Sequence, residues 1–471
     1  MSLWSAQEAA LATGGETAGD WQAEGVSIDT RTLQDGDLFV ALADQRDGHD
    51  FVAEALQKGA SAALVSRRPA DVLSDENLLY VQDVQAALEG LARAARQRSA
   101  AQVIAITGSA GKTSTKEMLR VMLQAQGKTH ASYASYNNHW GVPLTLASLP
   151  RDAAFAVVEI GMSNSGEIAP LARLVRPDAA LITTVAPAHL AAFENLEGIA
   201  REKAAIVQGL TAQGYAVLNA EAPCRSVMEQ AVAAKGCQSL WFGTGAAQAR
   251  IAQLSVKDGL TQVMASIGDL SLKFELHTVG RHFAMNALGA LALLSKLNAD
   301  VEKAARVLAQ WQPAEGRGMR HQLHASFGAF ELIDDAYNAN PISMQAALDV
   351  LAQATSSRRV AFLGDMKELG ADERAHHSAL AQLPAIRNID LIHTAGPLMA
   401  ALHHSLPVEK RGQHFANAKE MAACVEVLLQ ADDCILVKAS LSSGLRQVVD
   451  AIKIISQSDP DCAARPVERK R

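Results

Sequence analysis

The chain has 471 residues, 49% of them hydrophobic and 20% charged, with a formal net charge of -7. This is the composition of a globular protein with apolar surface for several cores, and at ~100–200 residues per domain three domains are expected. A mildly acidic chain lacks the basic field that non-specific nucleic-acid or membrane-surface binding requires, so neither partner class is expected.

The opening stretch, MSLWSAQEAALATGG, has no basic segment followed by an apolar run. No apolar run approaches the ~20 residues of a membrane helix, so the expectation is a cytoplasmic protein without membrane insertion, monomeric. Residues 1–97 read as a small mixed α/β domain. GVSIDTR and DLFVAL are strand-like, FVAEALQKGA predicts a helix ending at Gly59, and SAALVS predicts another strand. QRSAAQ is a polar break.

From Gln102 the apolar runs QVIAIT, AAFAVVEI, DAALITTV and YAVLN alternate with helical segments. Such alternation predicts a parallel sheet covered by helices on both faces, over residues 98–313. An amphipathic helix is expected from Gly280 to Leu297, and a second to about Gln310. QWQPAEGRG, with Pro313, Gly316 and Gly318, is the next break. Over residues 314–471 the alternation resumes in AFELIDDAYNANP, RRVAFLGDM, IDLIHTAG and CILVKAS, which reads as a Rossmann-like α/β domain. The basic tail Arg465–Arg471 is expected to fray. The five cysteines, Cys224, Cys237, Cys424, Cys434 and Cys462, form no CxxC pair, and predict buried thiols in a reducing compartment.

The sharpest local signal is QVIAITGSAGKTSTKEML. A strand ends at Thr107, Gly108-Ser109-Ala110-Gly111 follow, and Lys112-Thr113-Ser114 open a helix. Glycines let backbone N–H groups turn around phosphate oxygens; the lysine reaches the outer phosphates and the threonine hydroxyl can ligate Mg²⁺. The loop is shorter than the general phosphate-loop pattern, with two residues between the glycines where that pattern has four. In a parallel sheet the carboxyl ends of strands share an edge, and AAFAVVEI and DAALITTVAPAH bring Glu159 and His189 to it. On spacing alone each reads equally well as a magnesium ligand or as a solvated turn residue and a hydrogen-bonded structural histidine. Lys203 lies in a helical stretch beside the Glu197/Arg201 pair, and nothing in its surroundings distinguishes it from a solvated lysine.

Taken in order, these residues resemble the Mur ligase family. TGSAGKTS matches its shortened phosphate loop, and YNNHWGVP (Tyr136 to Pro143) its Asn-Asn-x-x-Gly-x-Pro segment. EIGMSNSGEI, APAHL, the Lys203 helix, GRHFAMNALGALAL and Glu315-Gly316-Arg317 follow in the family's order. IDDAYNANPISMQAAL, LGDMKELG and His377, with SIDTRTLQDGDLFVAL and DGHDF near the start, are similar to the members that add D-alanyl-D-alanine. The resemblance covers nearly the whole chain. It implies an ATP-dependent ligase that joins D-alanyl-D-alanine to UDP-N-acetylmuramoyl-tripeptide through an acyl phosphate. Ligases of the same superfamily that add one amino acid or glutamate, and a non-catalytic nucleotide-binding relative, are the alternatives.

The resemblance also implies roles. Asp29, Thr30 and Arg31 would lie near the uridine nucleotide, and Gly108 to Ser114, including Ala110, would hold the ATP phosphates. Thr113, Glu159 and His189 would ligate Mg²⁺; Lys203, carbamylated, would orient a second ion by becoming an anion. Asn138 would lie beside the reacting groups, Asn286 near adenine and Arg317 near phosphate. Asp335 and Asn338 would line the nucleotide side of the cleft, Tyr337 and Asn340 the acceptor side. One departure stands out: where the family has Lys-Gly-Ser-Arg followed by Met-Glu, this chain has Lys438-Ala439-Ser440-Leu441 and then Leu445-Arg446.

Overall fold

The computed structural model describes residues 2–257 and 259–457. Cys462 and the Arg465–Arg471 tail therefore lie outside the described residues.

Three main sheets follow one another along the chain. The first has five strands in the order Glu16–Thr17, Leu78–Tyr80, Ala62–Val65, Asp37–Val40, Gly25–Ser27, parallel except for the first pair. The expected helix over FVAEALQKGA forms as a 3₁₀ turn, Gly48–Phe51, running into Val52–Gln57. Not foreseen were a short N-terminal helix, Ala6–Thr13, and the two-stranded ribbon of Trp4–Ser5 and Gln22–Ala23. The helix starts because Ser5 and Glu8 form a reciprocal capping box.

The helix Val84–Arg98, capped by Asp83, buries Val84, Leu88 and Leu91 under this first sheet. On its other side Ala92 joins the core of the next domain with Val103 and Val142. The QRSAAQ break is therefore a short packed junction. Arg96 ties it further, donating to Val175 O and Arg176 O, each at 2.9 Å, and Trp4 Nε1 donates to Ala147 O at 2.9 Å.

The central sheet has nine strands. Thr129–Ala131, Phe155–Glu159, Gln102–Thr107, Ala179–Ile182, Tyr215–Asn219, Gln238–Gly243 and Ala249–Lys257 run parallel in that spatial order. Two further strands, Leu260–Ile267 and Leu270–Leu276, extend it as an antiparallel meander that the sequence reading did not anticipate. The helix expected over 280–297 spans Arg281–Leu294, and it is not amphipathic: every residue from Phe283 to Leu294 is buried. It packs between the sheet and the helix Lys112–Gln124, so it has no solvent face to be polar.

The third sheet orders Met319–Ala325, Gly328–Asp335, Asp433–Lys438, Arg358–Gly364, Leu391–Ala395, Arg411–Phe415, with only the first pair antiparallel. The register Asp335↔Lys438 puts both residues at the carboxyl edge of this sheet, which faces the carboxyl edge of the central one. Of the described cysteines, all unpaired, Cys434 is buried, whereas Cys224, Cys237 and Cys424 are only partly so. Among the described residues no helix is long and apolar enough to cross a membrane.

Candidate functional site

Between the two facing edges lies a cleft of about 530 Å³. Its floor is the loop after Thr107. Gly108 has φ +152°, and a Cβ there would sit 1.8 Å from Thr183 Oγ1; Gly111 has φ +83°, and a Cβ there would meet the Asn286 amide at 2.7 Å. Both positions therefore require glycine. The first intrahelical bond runs from Thr115 N–H to Gly111 O at 2.9 Å. Gly111 offers no side-chain cap, so the N–H groups ahead of Thr115 are available to an anion in the cleft. Lys112 Nζ donates to Gly108 O at 2.8 Å, and Thr113 Oγ1 lies 3.3 Å from Ser135 Oγ. Ala110 and Ser114 line the cleft. The Ser109 hydroxyl turns away from it, donating to Ala186 O at 3.0 Å and accepting from Ala186 N–H at 2.9 Å, and so pins the APAHL segment.

Glu159 ends its strand with the side chain 1% exposed. Its Oε1 accepts from Asn137 Nδ2 at 2.7 Å, while Oε2 is buried without a donor. A buried carboxylate oxygen without a partner is costly, and a cation at that oxygen removes the cost. His189, at φ +61°, lines the same cleft, with Nδ1 set beside Glu368 Oε2 of the third domain. Burial pushes its imidazole pKa down, opposed by the Glu368 charge.

Lys203 is not solvated: it is 2% exposed. Burial pushes its amine well below the ordinary lysine range; the Lys112 charge adds to this and Glu202 opposes it. Its neighbour Glu202 accepts from the N–H groups of Gly166 and Ile168 at 2.8 and 2.7 Å. Lys112 is shifted down in the same way, by burial against the charge of Glu159. Among the described residues no group of three His, Cys, Asp or Glu side chains forms a metal cluster. The cleft offers a hydroxyl, one unpartnered carboxylate oxygen and an imidazole, whereas the buried Lys203 is not among the residues that line it. The groups that line it suit a hard cation only if phosphate oxygens or a carbamate complete the shell.

The third domain supplies the opposite wall. Arg317 donates to Ser135 Oγ at 3.1 Å and stacks 4.2 Å over the Tyr337 ring. Asp335 Oδ2 accepts from Lys438 Nζ at 2.7 Å, and Lys438 also donates to Asn338 O at 2.9 Å. Burial raises the Asp335 pKa against the pull of Lys438. Asn340 caps the helix Pro341–Ala352 and donates from Nδ2 to Ser109 O at 3.1 Å, a direct bond from the third domain to the glycine loop.

Asp29, Thr30 and Arg31 lie elsewhere. They line a separate cavity of about 480 Å³ in the first domain, closed on one side by Trp140 of the central domain. Arg31 pairs with Asp29, Nε to Oδ1 at 2.9 Å, which lowers the carboxyl pKa of Asp29.

The two asparagines of the pair do different things. Asn138 Oδ1 accepts from the N–H groups of Trp140 and Gly141 at 3.2 and 2.9 Å, so although it lines the cleft it fixes its own turn; the side chain that touches Glu159 is Asn137. Sequence reasoning also passed over Ser135, Glu368 and the cleft-facing role of Lys438. Only Lys438 carried a signal, being the first residue of the altered run.

The chain matches three family models: "Mur ligase family, catalytic domain" over residues 22–96, "Mur ligase middle domain" over 106–294, and "Mur ligase, glutamate ligase domain" over 319–441. It is 36% identical over 446 residues to the UDP-N-acetylmuramoyl-tripeptide–D-alanyl-D-alanine ligase of Escherichia coli (strain K12), covering 93% of this chain and 96% of that one. The enzyme of that name from Rickettsia prowazekii is 30% identical over 450 residues, covering 95% and 99%. Among solved structures, a crystal structure of MurF from Acinetobacter baumannii superposes with a TM-score of 0.83 at 30% identity, covering 96% of this chain and 99% of that one.

Proposed function

This chain belongs to the Mur ligase family, and from that premise we propose that it joins D-alanyl-D-alanine to UDP-N-acetylmuramoyl-tripeptide at the expense of ATP. The observation that carries this reading is the juxtaposition, in one cleft, of an uncapped helix start with a buried carboxylate oxygen that has no donor.

Amide formation from a carboxylate needs an oxygen that leaves readily. The tripeptide's free carboxylate attacks the γ-phosphorus of ATP; the new O–P bond gives an acyl phosphate and ADP departs. The amine of D-alanyl-D-alanine then attacks the acyl carbon, loses a proton, and phosphate leaves as the C–N bond is completed. The N–H groups at the start of the Lys112–Gln124 helix hold the phosphate chain. Lys112 exchanges its bond to Gly108 O for phosphoryl oxygens, with Arg317 opposite. Thr113 Oγ1 and Glu159 Oε2 would hold one Mg²⁺, with His189 and carbamylated Lys203 serving a second, and these ions would supply further neutralisation of phosphoryl charge.

The surroundings of Lys203 suit that modification. A lysine whose pKa is lowered by burial has a neutral amine to attack CO₂, and the resulting anion is stabilised by the nearby Lys112 charge. Acyl phosphates hydrolyse, so the reaction requires the third domain's wall to keep water from the reacting centre. The Asp29–Arg31 cavity takes the uridine end of the substrate, with the first domain assigned to residues 1–97, the ATP-binding domain to 98–313 and the acceptor-side domain to 314–471. The protein acts in the cytoplasm as a monomer.

The test is phosphate release from ATP with the UDP-linked muramoyl tripeptide, with and without D-alanyl-D-alanine. Release that depends on the dipeptide, with matching UDP-pentapeptide product, is expected. Release stimulated by a single amino acid but not by the dipeptide overturns the choice of acceptor.

A further inference from the structure

The run Lys438 to Arg446 begins and ends on a cation, and the two cations serve opposite sides of one strand. Asp334 and Asp335 are consecutive at the end of Gly328–Asp335, so their side chains point to opposite faces of the sheet. Asp335 faces the cleft and takes Lys438. Asp334 is fully buried on the other face, and Arg446 Nη1 reaches its Oδ2 at 3.1 Å. Leu441, within this run, is 60% exposed.

Arg446 makes two further contacts. Its Nε pairs with Asp450 Oδ1 at 3.0 Å, one turn on along its own helix, and its Nη2 lies 3.4 Å from Glu315 Oε2. Lys453, on the same helix, holds the other oxygen of Glu315 at 3.2 Å. Glu315 immediately precedes Gly316 and Arg317. A Cβ on Gly316 would come within 2.9 Å of Tyr337 Cβ, so this turn lies close against the cleft wall. The turn is bonded at both ends of Arg317: Gly318 N–H donates to Asp334 O at 2.8 Å and Tyr337 N–H to Gly316 O at 3.2 Å. Arg446 therefore grips the residue before the turn and the strand residue to which its end is bonded. Arg317 projects from between these points to Ser135, and Ser135 neighbours Thr113.

We propose that Arg446 is a positioning residue for the nucleotide end of the cleft: by holding Glu315 and Asp334 it fixes the turn that presents Arg317. This rests on the reading of Arg317 as a phosphate contact. Exposed ion pairs alone contribute little, but the pair to a fully buried carboxylate is harder to replace with water, which makes Arg446 an anchor where Lys453 is only an accessory.

The experiment is steady-state kinetics on the full chain for Arg446→Ala, Arg446→Lys, Glu315→Gln, Arg317→Ala and the Arg317→Ala/Arg446→Ala double variant. Arg446→Ala is expected to raise KM for ATP roughly tenfold and leave KM for the UDP-linked substrate within about twofold, with partial rescue by lysine. Adding it to Arg317→Ala is expected to change little, because the effect passes through that side chain. Glu315→Gln keeps the buried Asp334 pair and is expected to raise KM for ATP in the same direction by a smaller factor. If Arg446→Ala does not fold, Glu315→Gln decides: an unchanged KM for ATP overturns the proposal. Multiplicative effects in the double variant, or equal rises in both KM values, overturn it as well. An Arg317→Ala enzyme with unchanged ATP kinetics overturns the role of Arg317 and this inference together, whereas a defect in Arg317→Ala with normal Arg446→Ala kinetics overturns this inference alone.

Discussion

The two junctions between domains are built from different materials. At the first, the helix Val84–Arg98 belongs to two apolar cores at once, and Trp4, 1% exposed, is seated against the central domain. At the second, near Gly316 and Gly318, Val279 is buried among third-domain residues such as Ile333 and Ala347, but the contacts across the cleft are mainly polar: Arg317 to Ser135, Asn340 to Ser109 and His189 to Glu368. Apolar burial has no favourable substitute in water, whereas each polar contact can be exchanged for water at small net cost. The first junction is thus the stiffer seam, and the second is the one whose contacts are more readily exchanged for water.

The largest effect should come from the floor of the second junction without disturbing either seam. Lys112→Ala is expected to lower kcat by about a thousandfold or more with only a small shift of the thermal unfolding curve, because apart from phosphoryl charge only Gly108 O loses a partner. Near-normal turnover by the purified variant would sink the role given to Lys112. Trp4→Ala is the reciprocal case. It empties part of the first seam and removes the bond to Ala147 O, at an expected cost of roughly 3–5 kcal/mol in urea unfolding, with kcat of the folded enzyme nearly unchanged. A large loss of kcat with unchanged stability would erase the contrast between the junctions.

Asn340→Ala tests the polar side more gently. It removes a helix cap, worth about 1 kcal/mol, together with the bond to Ser109 O, so a small loss of stability should accompany a rise in KM for ATP of several-fold. The last effect is nil at neutral pH, appears only as pH falls, and lies away from both seams. His393 stacks on Phe362, accepts from Gln413 N–H through Nδ1, and is held by burial at a pKa of about 4. In the unfolded chain a histidine titrates near 6.5, so between about pH 6.5 and 4 the unfolded state binds the proton that the folded state refuses. Its contribution is therefore present above pH 6.5 and lost as pH falls through that window. His393→Gln should flatten the acid limb of stability against pH by up to about 1.4 kcal/mol per pH unit, and an unchanged slope would show that His393 is not the group responsible.

The sequence was most informative where chemistry forces local choices. Gly108 and Gly111 are required locally because φ at each, +152° and +83°, is a backbone conformation that side chains rarely adopt. Four parallel strands of the central sheet, from Gln102, Phe155, Ala179 and Tyr215, were legible because strands buried on both faces read as continuous apolar runs, whereas Thr129–Ala131, Gln238–Gly243 and Ala249–Lys257 were not. The antiparallel meander from Leu260 to Leu276 was not, since its alternating exposed residues resemble surface polarity until the strands are paired. The Arg281–Leu294 helix was misjudged as amphipathic because helical spacing does not show how many sides are covered. Lys203 shows the limit most clearly: a lysine beside a surface-like Glu197/Arg201 pair carries no local mark of burial, and only the packed helix makes its amine unusual.

By itself, then, the chain's order of residues determined the three-part α/β plan and the glycine loop, because dihedral freedom and apolar periodicity act over a few neighbours. Tertiary structure alone decided that Glu159 keeps an oxygen without a donor, that Asn137 rather than Asn138 meets it, and that Arg446 reaches Asp334 across 112 positions. Burial and pairing depend on segments remote in sequence, and no local pattern records which of them will meet.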